Sequence, residues 1–156
     1  ALRESLNATI KDSASLQESW RKIPSVDRLD PGIAASAARA FIAVDMNDDA
    51  QAILERALEH QWDSDLALLY SEVPSEKPLA QIERAEDWLR EHPGDASLLL
   101  ALGKLCAAEK LWGKAQSYIE ASLSVEPSRA AHAAYAQLME KMAKPEEALR
   151  YNRRRR

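Results

Sequence analysis

Three residues set at equal intervals in the second half of the chain place the tightest constraint on its fold. Gly103, Ala115 and Pro127 follow one another at intervals of twelve residues. Small side chains at positions 103 and 115 let two helices cross closely, and Pro127 ends the second helix because it has no backbone N–H to donate. The segment therefore predicts an antiparallel pair of helices.

Copies of this spacing occur elsewhere in the chain. Ala136 and Ala148, one repeat length further on, are again twelve residues apart, as are Ala38 and Ala50, two repeat lengths earlier. The stretch between the earlier copy and Gly103 leaves room for one more copy, which is degraded because Gln81 takes the place of a small residue. The chain is therefore an array of about four helix pairs.

The sequence around Gly103 is similar to the tetratricopeptide repeat. That repeat reads W-x2-L-G-x2-Y, then Ala, x3-F and Pro over about 34 residues. Here the corresponding residues are Leu99, Leu102, Gly103, Cys106, Ala115, Ile119 and Pro127. We therefore expect an all-α fold, an α-α right-handed superhelix of tetratricopeptide-like helix hairpins.

Composition supports an all-helical chain. Only 4 residues are Gly and one is Phe, whereas the strong helix formers Ala, Leu, Glu, Arg and Lys are abundant. We expect a single repeat domain over 1–156, in which 1–30 form a partial repeat or cap and the helix pairs span 31–62, 63–95, 96–128 and 129–156.

Turn residues locate the helices inside these pairs. The predicted helices are 32–45 with 48–60, 64–72 with 77–91, 95–109 with 112–125, and 129–142 with 145–153, after a short pair at 2–12 and 13–22. Asp95 and Ser128 are the expected N-cap residues. Trp20 is expected to pack on the helix pair that follows it.

Several segments resemble the C-terminal part of the HemY family, proteobacterial proteins associated with late haem synthesis. The resemblance is carried by 111–123 (LWGKAQSYIEASL), 91–95 (EHPGD), 99–105 and 144–148 (KPEEA), and more loosely by Trp20, Ile23, Pro24 and 37–43. It implies an inner-membrane protein whose repeat domain lies on the cytoplasmic side. It also implies a role in protohaem IX formation, as an organiser of the terminal enzymes or as a handler of a porphyrin intermediate.

Charge and hydropathy bear on whether the chain binds nucleic acid or a membrane. The formal net charge of −4 predicts no broad attraction to nucleic acid. The four arginines at 153–156 are an exception, and we favour a solvated terminus for them over a phosphate or membrane contact. The longest apolar run, 98–102, is far too short to span a bilayer. Membrane attachment is therefore expected only through segments missing from this fragment.

The first helix of each pair is predicted to line a concave binding wall. The inward positions, taken one residue after each small residue, are Arg39, Tyr70, Lys104 and Gln137, and Lys141 is a neighbouring inward position. This mixed surface with positive points suits an acidic peptide or the propionates of a porphyrin. The alternative, that each is merely a solvated residue, stays open.

Other candidate residues indicate structural roles. His60 and His92 are expected near helix C-termini, where an imidazole interacts favourably with the helix dipole. His132 is expected to fill a packing position, with haem ligation as the alternative. Cys106 is expected to be a small buried hydrophobic residue. No metal site is predicted, because no two His or Cys residues stand at the spacing that metal ligands usually have.

These observations lead to one leading function and one alternative. No cluster of nucleophile, acid and base is recognisable, and no G-x-G-x-x-G can be written, so we expect no enzymatic activity. The leading prediction is a scaffold that binds proteins, the late haem-synthesis enzymes, and needs no cofactor. The alternative is a carrier that binds haem or a porphyrin directly.

Overall fold

The computed structural model describes residues 13–154, with side chains over 13–143, and these residues form helices and turns without a strand. The helices are α1 (Ser13–Lys22), α2 (Pro31–Ala43), α3 (Asn47–His60), α4 (Ser64–Tyr70), α5 (Pro78–Glu91), α6 (Ala96–Ala108), α7 (Trp112–Val125) and α8 (Arg129–Arg154), with a 3-10 turn at Asp27–Leu29. The predicted all-α class is confirmed.

The chain divides into two compact units, Ala1–Glu76 and Lys77–Arg156. Helices α1 to α4 belong to the first unit and α5 to α8 to the second. The division falls between α4 and α5, the two helices that the sequence assigns to one pair.

Every second helix starts at a side-chain N-cap, and the caps recur at a nearly constant interval. Asp30, Asp63, Asp95 and Ser128 accept the backbone N–H three residues further on, at 3.1, 3.0, 2.9 and 3.0 Å. They precede α2, α4, α6 and α8, and the intervals between successive caps differ by no more than one residue. The predicted caps Asp95 and Ser128 are confirmed. Helices α3, α5 and α7 begin without a side-chain cap.

The turns after α2 and α6 have the same backbone conformation. Asp45 and Lys110 adopt positive φ angles of 61° and 60°. The following N–H groups reach back to close the helix, Met46 to the carbonyl of Phe41 at 2.8 Å and Leu111 to that of Cys106 at 2.9 Å. This is the Schellman arrangement, formed here without glycine. The two turns are separated by two repeat lengths, which is the interval that the sequence repeats predict.

The first unit is built around α2. Its buried residues are Ala34, Ala38 and Phe41. Helix α2 packs against α3, and α4 packs against both helices. Trp20 of α1 meets the Phe41 ring edge-on with centroids 6.4 Å apart, as predicted. Arg28 lies 5.5 Å from the centre of the Trp20 ring and donates to the carbonyl of Ile23, so the 3-10 turn is attached to α1.

The second unit depends on the close crossing of α6 and α7. A Cβ atom at Gly103 would collide with the Ile119 side chain and would lie 3.3 Å from the carbonyl oxygen of Ala115. Ala115 and Ile119 are themselves fully buried. Further along, Ser122 Oγ donates to the carbonyl of Ala96 at 2.7 Å, which joins the end of α7 to the start of α6. The predicted reason for a glycine at 103 is confirmed.

The structure contradicts the predicted end of the last pair. A stop was expected at Lys144 and Pro145, but α8 continues from Arg129 to Arg154. Proline removes one helical hydrogen bond and crowds the carbonyl four residues back, at a cost of about 3 kcal/mol. The residues around it are mostly strong helix formers, and the helix continues through it. The other predicted helices agree with the observed bounds to within two residues. The predicted helix at 2–12 lies outside the described residues.

The crossing of α6 and α7 predicts opposite effects for two glycine substitutions. Gly103→Ala places a methyl group against Ile119, and such overpacking costs about 1–3 kcal/mol, more than the roughly 1 kcal/mol gained from helix propensity. Gly113→Ala, also in a helix, meets nothing within 4 Å and gains up to about 1 kcal/mol. Urea unfolding followed by circular dichroism measures both. Equal changes in the two variants would contradict the close crossing.

Candidate functional site

Counting residues from each N-cap shows which predicted wall residues occupy equivalent positions on different helices. Arg39, Lys104 and Gln137 each lie nine residues after a capping residue, so they occupy one equivalent position in α2, α6 and α8. The side chains of Arg39 and Gln137 are exposed, and that of Lys104 is half-buried. Arg39 belongs to the first unit, and Lys104 and Gln137 to the second. A polar side chain reaches solvent at this position in each of the three helices.

Tyr70 does not belong to this set. Its ring is 1% exposed, and its hydroxyl lies 3.0 Å from the amide nitrogen of Gln51 and 3.1 Å from a carboxylate oxygen of Glu55, both on α3. The prediction was wrong because the degraded repeat was aligned two residues out of register. Counting nine residues from the Asp63 cap gives Glu72, which is exposed but lies two residues beyond the end of α4. No residue of α4 therefore takes the position that Arg39, Lys104 and Gln137 share, and the cap at Asp63 is the signal that sets this register.

In the second unit three predicted residues lie on two helices that pack together. Gln137 and Lys141 are one turn apart on α8 and both are exposed. Lys104 is on α6, against which α8 packs. We call these three residues the second-unit surface. Two ammonium groups and one amide make it suitable for anionic or amide-bearing groups.

His132 is exposed, contrary to the expected packing role. The equivalent residues, four after each cap, are Ala34, Ala67 and Leu99, which are at most 5% exposed. The physical reason is the continuation of α8 to Arg154, because no second helix turns back to cover His132 within the described residues. Its imidazole is therefore open to solvent.

The other two histidines stand where the sequence predicts. His60 is the last residue of α3, and His92 is the C-cap of α5. An imidazole at these places interacts favourably with the carbonyl end of the helix dipole.

A polar cluster connects α5 to α7 within the second unit. The Tyr118 hydroxyl donates to a carboxylate oxygen of Glu86 at 2.5 Å, and Lys114 Nζ lies 3.2 Å from the same oxygen. The hydrogen bond from Tyr118, aided by Lys114, lowers the pKa of Glu86 although burial acts in the opposite direction. Burial and the Glu86 carboxylate together raise the pKa of Tyr118. The hydrogen bond thus keeps Glu86 ionised and Tyr118 neutral. These charge states are the ordinary ones near neutral pH, so we interpret the cluster as a structural contact between α5 and α7, and we call it the brace.

Cys106 has the predicted character of a buried hydrophobe. Its side chain is fully buried in α6, and burial raises the pKa of its thiol. A thiol with a raised pKa is mostly protonated near neutral pH and is a poor nucleophile. Cys106 therefore contributes packing.

Acidic side chains line a cavity of about 330 Å³ beside the turn between α2 and α3. Asp48 and Asp49 lie in the first turn of α3, where carboxylates complement the helix dipole. Across residues 13–154, no group of three or more His, Cys, Asp or Glu side chains is arranged to hold a metal ion. None of the helices in this range is both long and apolar enough to cross a membrane.

Comparison of the chain with models of protein families, with curated proteins and with solved structures found no match in any of the three. The inferences below therefore depend on the residues of this chain.

The Glu86 cluster predicts a pKa change that can be measured directly. Tyr118→Phe removes the strongest cause of the lowered pKa, so the pKa of Glu86 should rise towards 4.5, its ordinary value. A ¹³C NMR titration of the carboxyl groups measures it. Asp87→Asn is the control, because its 2.9 Å contact with Arg90 is exposed and contributes little. An unchanged Glu86 titration in Tyr118→Phe would contradict the brace.

The same shift fixes the pH dependence of stability. A carboxyl group whose pKa is lower in the folded chain stabilises it at pH values above its unfolded pKa, and this contribution is lost as the pH falls through the folded value. The stability difference between the wild type and Tyr118→Phe should therefore be full at pH 7 and shrink below about pH 4. Urea unfolding of both proteins across this pH range measures the difference.

Proposed function

We propose that this chain is a protein-binding scaffold built from tetratricopeptide-like helix pairs. The observation that carries the proposal is the recurrence of an exposed or half-exposed polar side chain nine residues after the caps of α2, α6 and α8, at Arg39, Lys104 and Gln137. Equivalent exposed positions on neighbouring helices of one unit, such as Lys104 and Gln137 on α6 and α8, suit an extended peptide or a helix that contacts them in turn. The right-handed superhelix of such pairs is part of the proposal.

The chemistry of the second-unit surface supports an acidic partner segment. Lys104 and Lys141 supply two cations on helices that pack together. Lysine binds a carboxylate as a mobile point charge, so the surface favours acidic segments without demanding one fixed geometry. Binding two enzymes side by side would raise their effective concentration for one another without new chemistry.

The biological setting in this proposal comes from the resemblance to the HemY family. On that basis the partners are the enzymes of the last steps of haem synthesis. The scaffold then belongs to an inner-membrane protein, with this domain on the cytoplasmic side. What supports this setting is the set of sequence segments at 91–95, 99–105, 111–123 and 144–148.

A matched pair of lysine and arginine variants tests the scaffold. Binding of the purified late haem-synthesis enzymes to the immobilised chain is measured by interferometry. Lys104→Ala should weaken binding about tenfold, the effect expected for one charge-assisted hydrogen bond. Arg129→Ala removes an exposed cation from the start of the same α8 that carries Gln137, and it should change the affinity less than about twofold.

Two outcomes would contradict the scaffold. One is an equal loss of affinity in both variants, which would indicate only nonspecific attraction by charge. The other is the absence of saturable binding by any of the enzymes.

Arg39→Ala and Lys104→Ala should both keep the helical content of the wild type, since neither side chain is fully buried.

One observation favours a second function, the direct binding of haem or a porphyrin. His132 is open to solvent, which is the condition for an imidazole to reach haem iron. In this second function the chain would carry haem or a porphyrin and would not act as a protein scaffold.

A visible-absorbance titration with haem and with protoporphyrin separates the two functions. The scaffold predicts no saturable Soret shift. The carrier predicts a shift at about 1:1 that is lost in His132→Ala and kept in His60→Ala, the control at another exposed histidine. A shift that survives both substitutions would exclude His132 as the ligand.

A further inference from the structure

Two cavities border Trp20 in the first unit, and they differ in the chemistry of their walls. The groove between α1 and α2 is lined mainly by apolar side chains. The other cavity, of about 290 Å³, lies between the 3-10 turn and α3 and has both apolar and charged walls. We call it the arginine pocket, and its lining includes Trp20, Arg28, Leu29, Asp49, Ile53 and Arg56.

One face of α3 forms one side of the arginine pocket. Its lining residues Asp49, Ala52, Ile53 and Arg56 stand at the spacing that brings side chains to one side of a helix. Ile53 is 7% exposed and supplies an apolar wall, whereas Arg56 is exposed. Seven residues separate Asp49 from Arg56, which is about 10 Å along the helix axis. The carboxylate and the guanidinium therefore stand at opposite ends of this face.

The other side of the pocket carries a guanidinium that is held in place. Arg28 is half-buried, and its Nε and Nη2 atoms donate to the carbonyls of Ile23 and Arg21, both at 2.9 Å. Its Cζ atom lies 5.5 Å from the centre of the Trp20 ring. Because the guanidinium is planar and rigid, these contacts also fix the direction of Nη1. Among the described residues, Nη1 has no hydrogen-bond partner.

The arginine pocket contains more hydrogen-bond donors than acceptors. Within residues 13–143, the side chains of Arg56 and Asp49 form no ion pair and no hydrogen bond, so Asp49 neutralises neither guanidinium. Asp49 lies in the first turn of α3, where the positive end of the helix dipole offsets part of its charge. Two guanidinium groups thus keep N–H groups that no described side chain accepts. A carboxylate matches such groups in charge and in geometry.

The volume of the pocket limits what it can hold. About 290 Å³ is at the small end of ligand pockets, which usually measure about 300–1,000 Å³. This space suits one acidic side chain together with a neighbouring apolar one, which would lie against Trp20 and Ile53.

We infer that the arginine pocket binds a carboxylate side chain from an acidic segment of a partner protein. The carboxylate pairs with Arg28 and Arg56, and an apolar residue beside it contacts Ile53 and the Trp20 ring. The inference rests on the proposed scaffold function and gives the first unit its own contact for an acidic segment.

Two short peptides that differ by one charge test this inference. Acetyl-Glu-Leu-amide and acetyl-Gln-Leu-amide are titrated separately into the full chain, and ¹⁵N NMR follows the Trp20 indole N–H and the Ile53 amide. The glutamate peptide should give saturable shifts at both groups. The glutamine peptide should bind about tenfold more weakly, because its amide carries no charge for the guanidinium groups. The Trp112 indole resonance, in the second unit, should not move in either titration.

A matched pair of arginine variants locates the site. Arg56→Gln should weaken binding of the glutamate peptide about tenfold. It should keep the helical content of the wild type, because the side chain is exposed. Arg21→Gln is the control, since Arg21 is also exposed and its side chain is not part of the pocket lining. The affinity of this variant should change less than about twofold.

Four results would overturn the inference. They are the absence of saturable shifts, equal affinity for the two peptides, an equal loss in both arginine variants, and the same shifts with sodium phosphate at the same concentration. The last would indicate a site for any small anion. Binding of the haem-synthesis enzymes that still depends on Lys104 would then leave the scaffold proposal intact, because Lys104 lies in the second unit.

Discussion

The contact between α6 and α7 at Gly103 fixes the geometry on which the second unit depends. With only a hydrogen atom at that position, the Ile119 side chain can lie directly against the α6 backbone. The short distance between the helices also lets Ser122 reach the carbonyl of Ala96. In the first unit alanines stand at the corresponding positions of α2 and α3. Ala38 and Ala50 are both 0% exposed, so these two helices also pack through small side chains. Small residues at matched positions therefore let the helices cross closely in these two pairs, α2 with α3 and α6 with α7.

Much of this architecture can be predicted from the sequence because it depends on residues that are close together in the chain. Turn residues predict the helix bounds, Asp95 and Ser128 are recognisable as N-caps, and the twelve-residue spacing predicts the close crossing at Gly103. Tyr70 was misplaced because this copy of the repeat was aligned on Gln81, whereas the cap at Asp63 sets its register two residues further along the chain. Both errors near the end of the chain have one origin. Proline at 145 does not end α8, and so the packing expected over His132 is missing from the described residues.

The candidate binding positions and the apolar groove are different kinds of surface. The positions nine residues after the caps of α2, α6 and α8 are polar and reach solvent, whereas the groove between α1 and α2 beside Trp20 is lined mainly by apolar side chains. Partner recognition on such a scaffold would then depend on charge and on the order of side chains along successive helices. Sequence could place these residues but not their accessibility, which depends on the neighbouring helix.

The turns after α2 and α6 bear on how quickly the chain folds. Each joins two helices through three residues, 44–46 and 109–111, so the contacts between α2 and α3 and between α6 and α7 link residues that are close in sequence. Closing short loops loses little chain entropy, and domains rich in local contacts fold in microseconds to milliseconds. The positive φ angles of Asp45 and Lys110 oppose this gain, because a side chain disfavours that conformation. The short turns thus favour rapid pairing of α2 with α3 and of α6 with α7, and the strained residue in each turn offsets part of that gain.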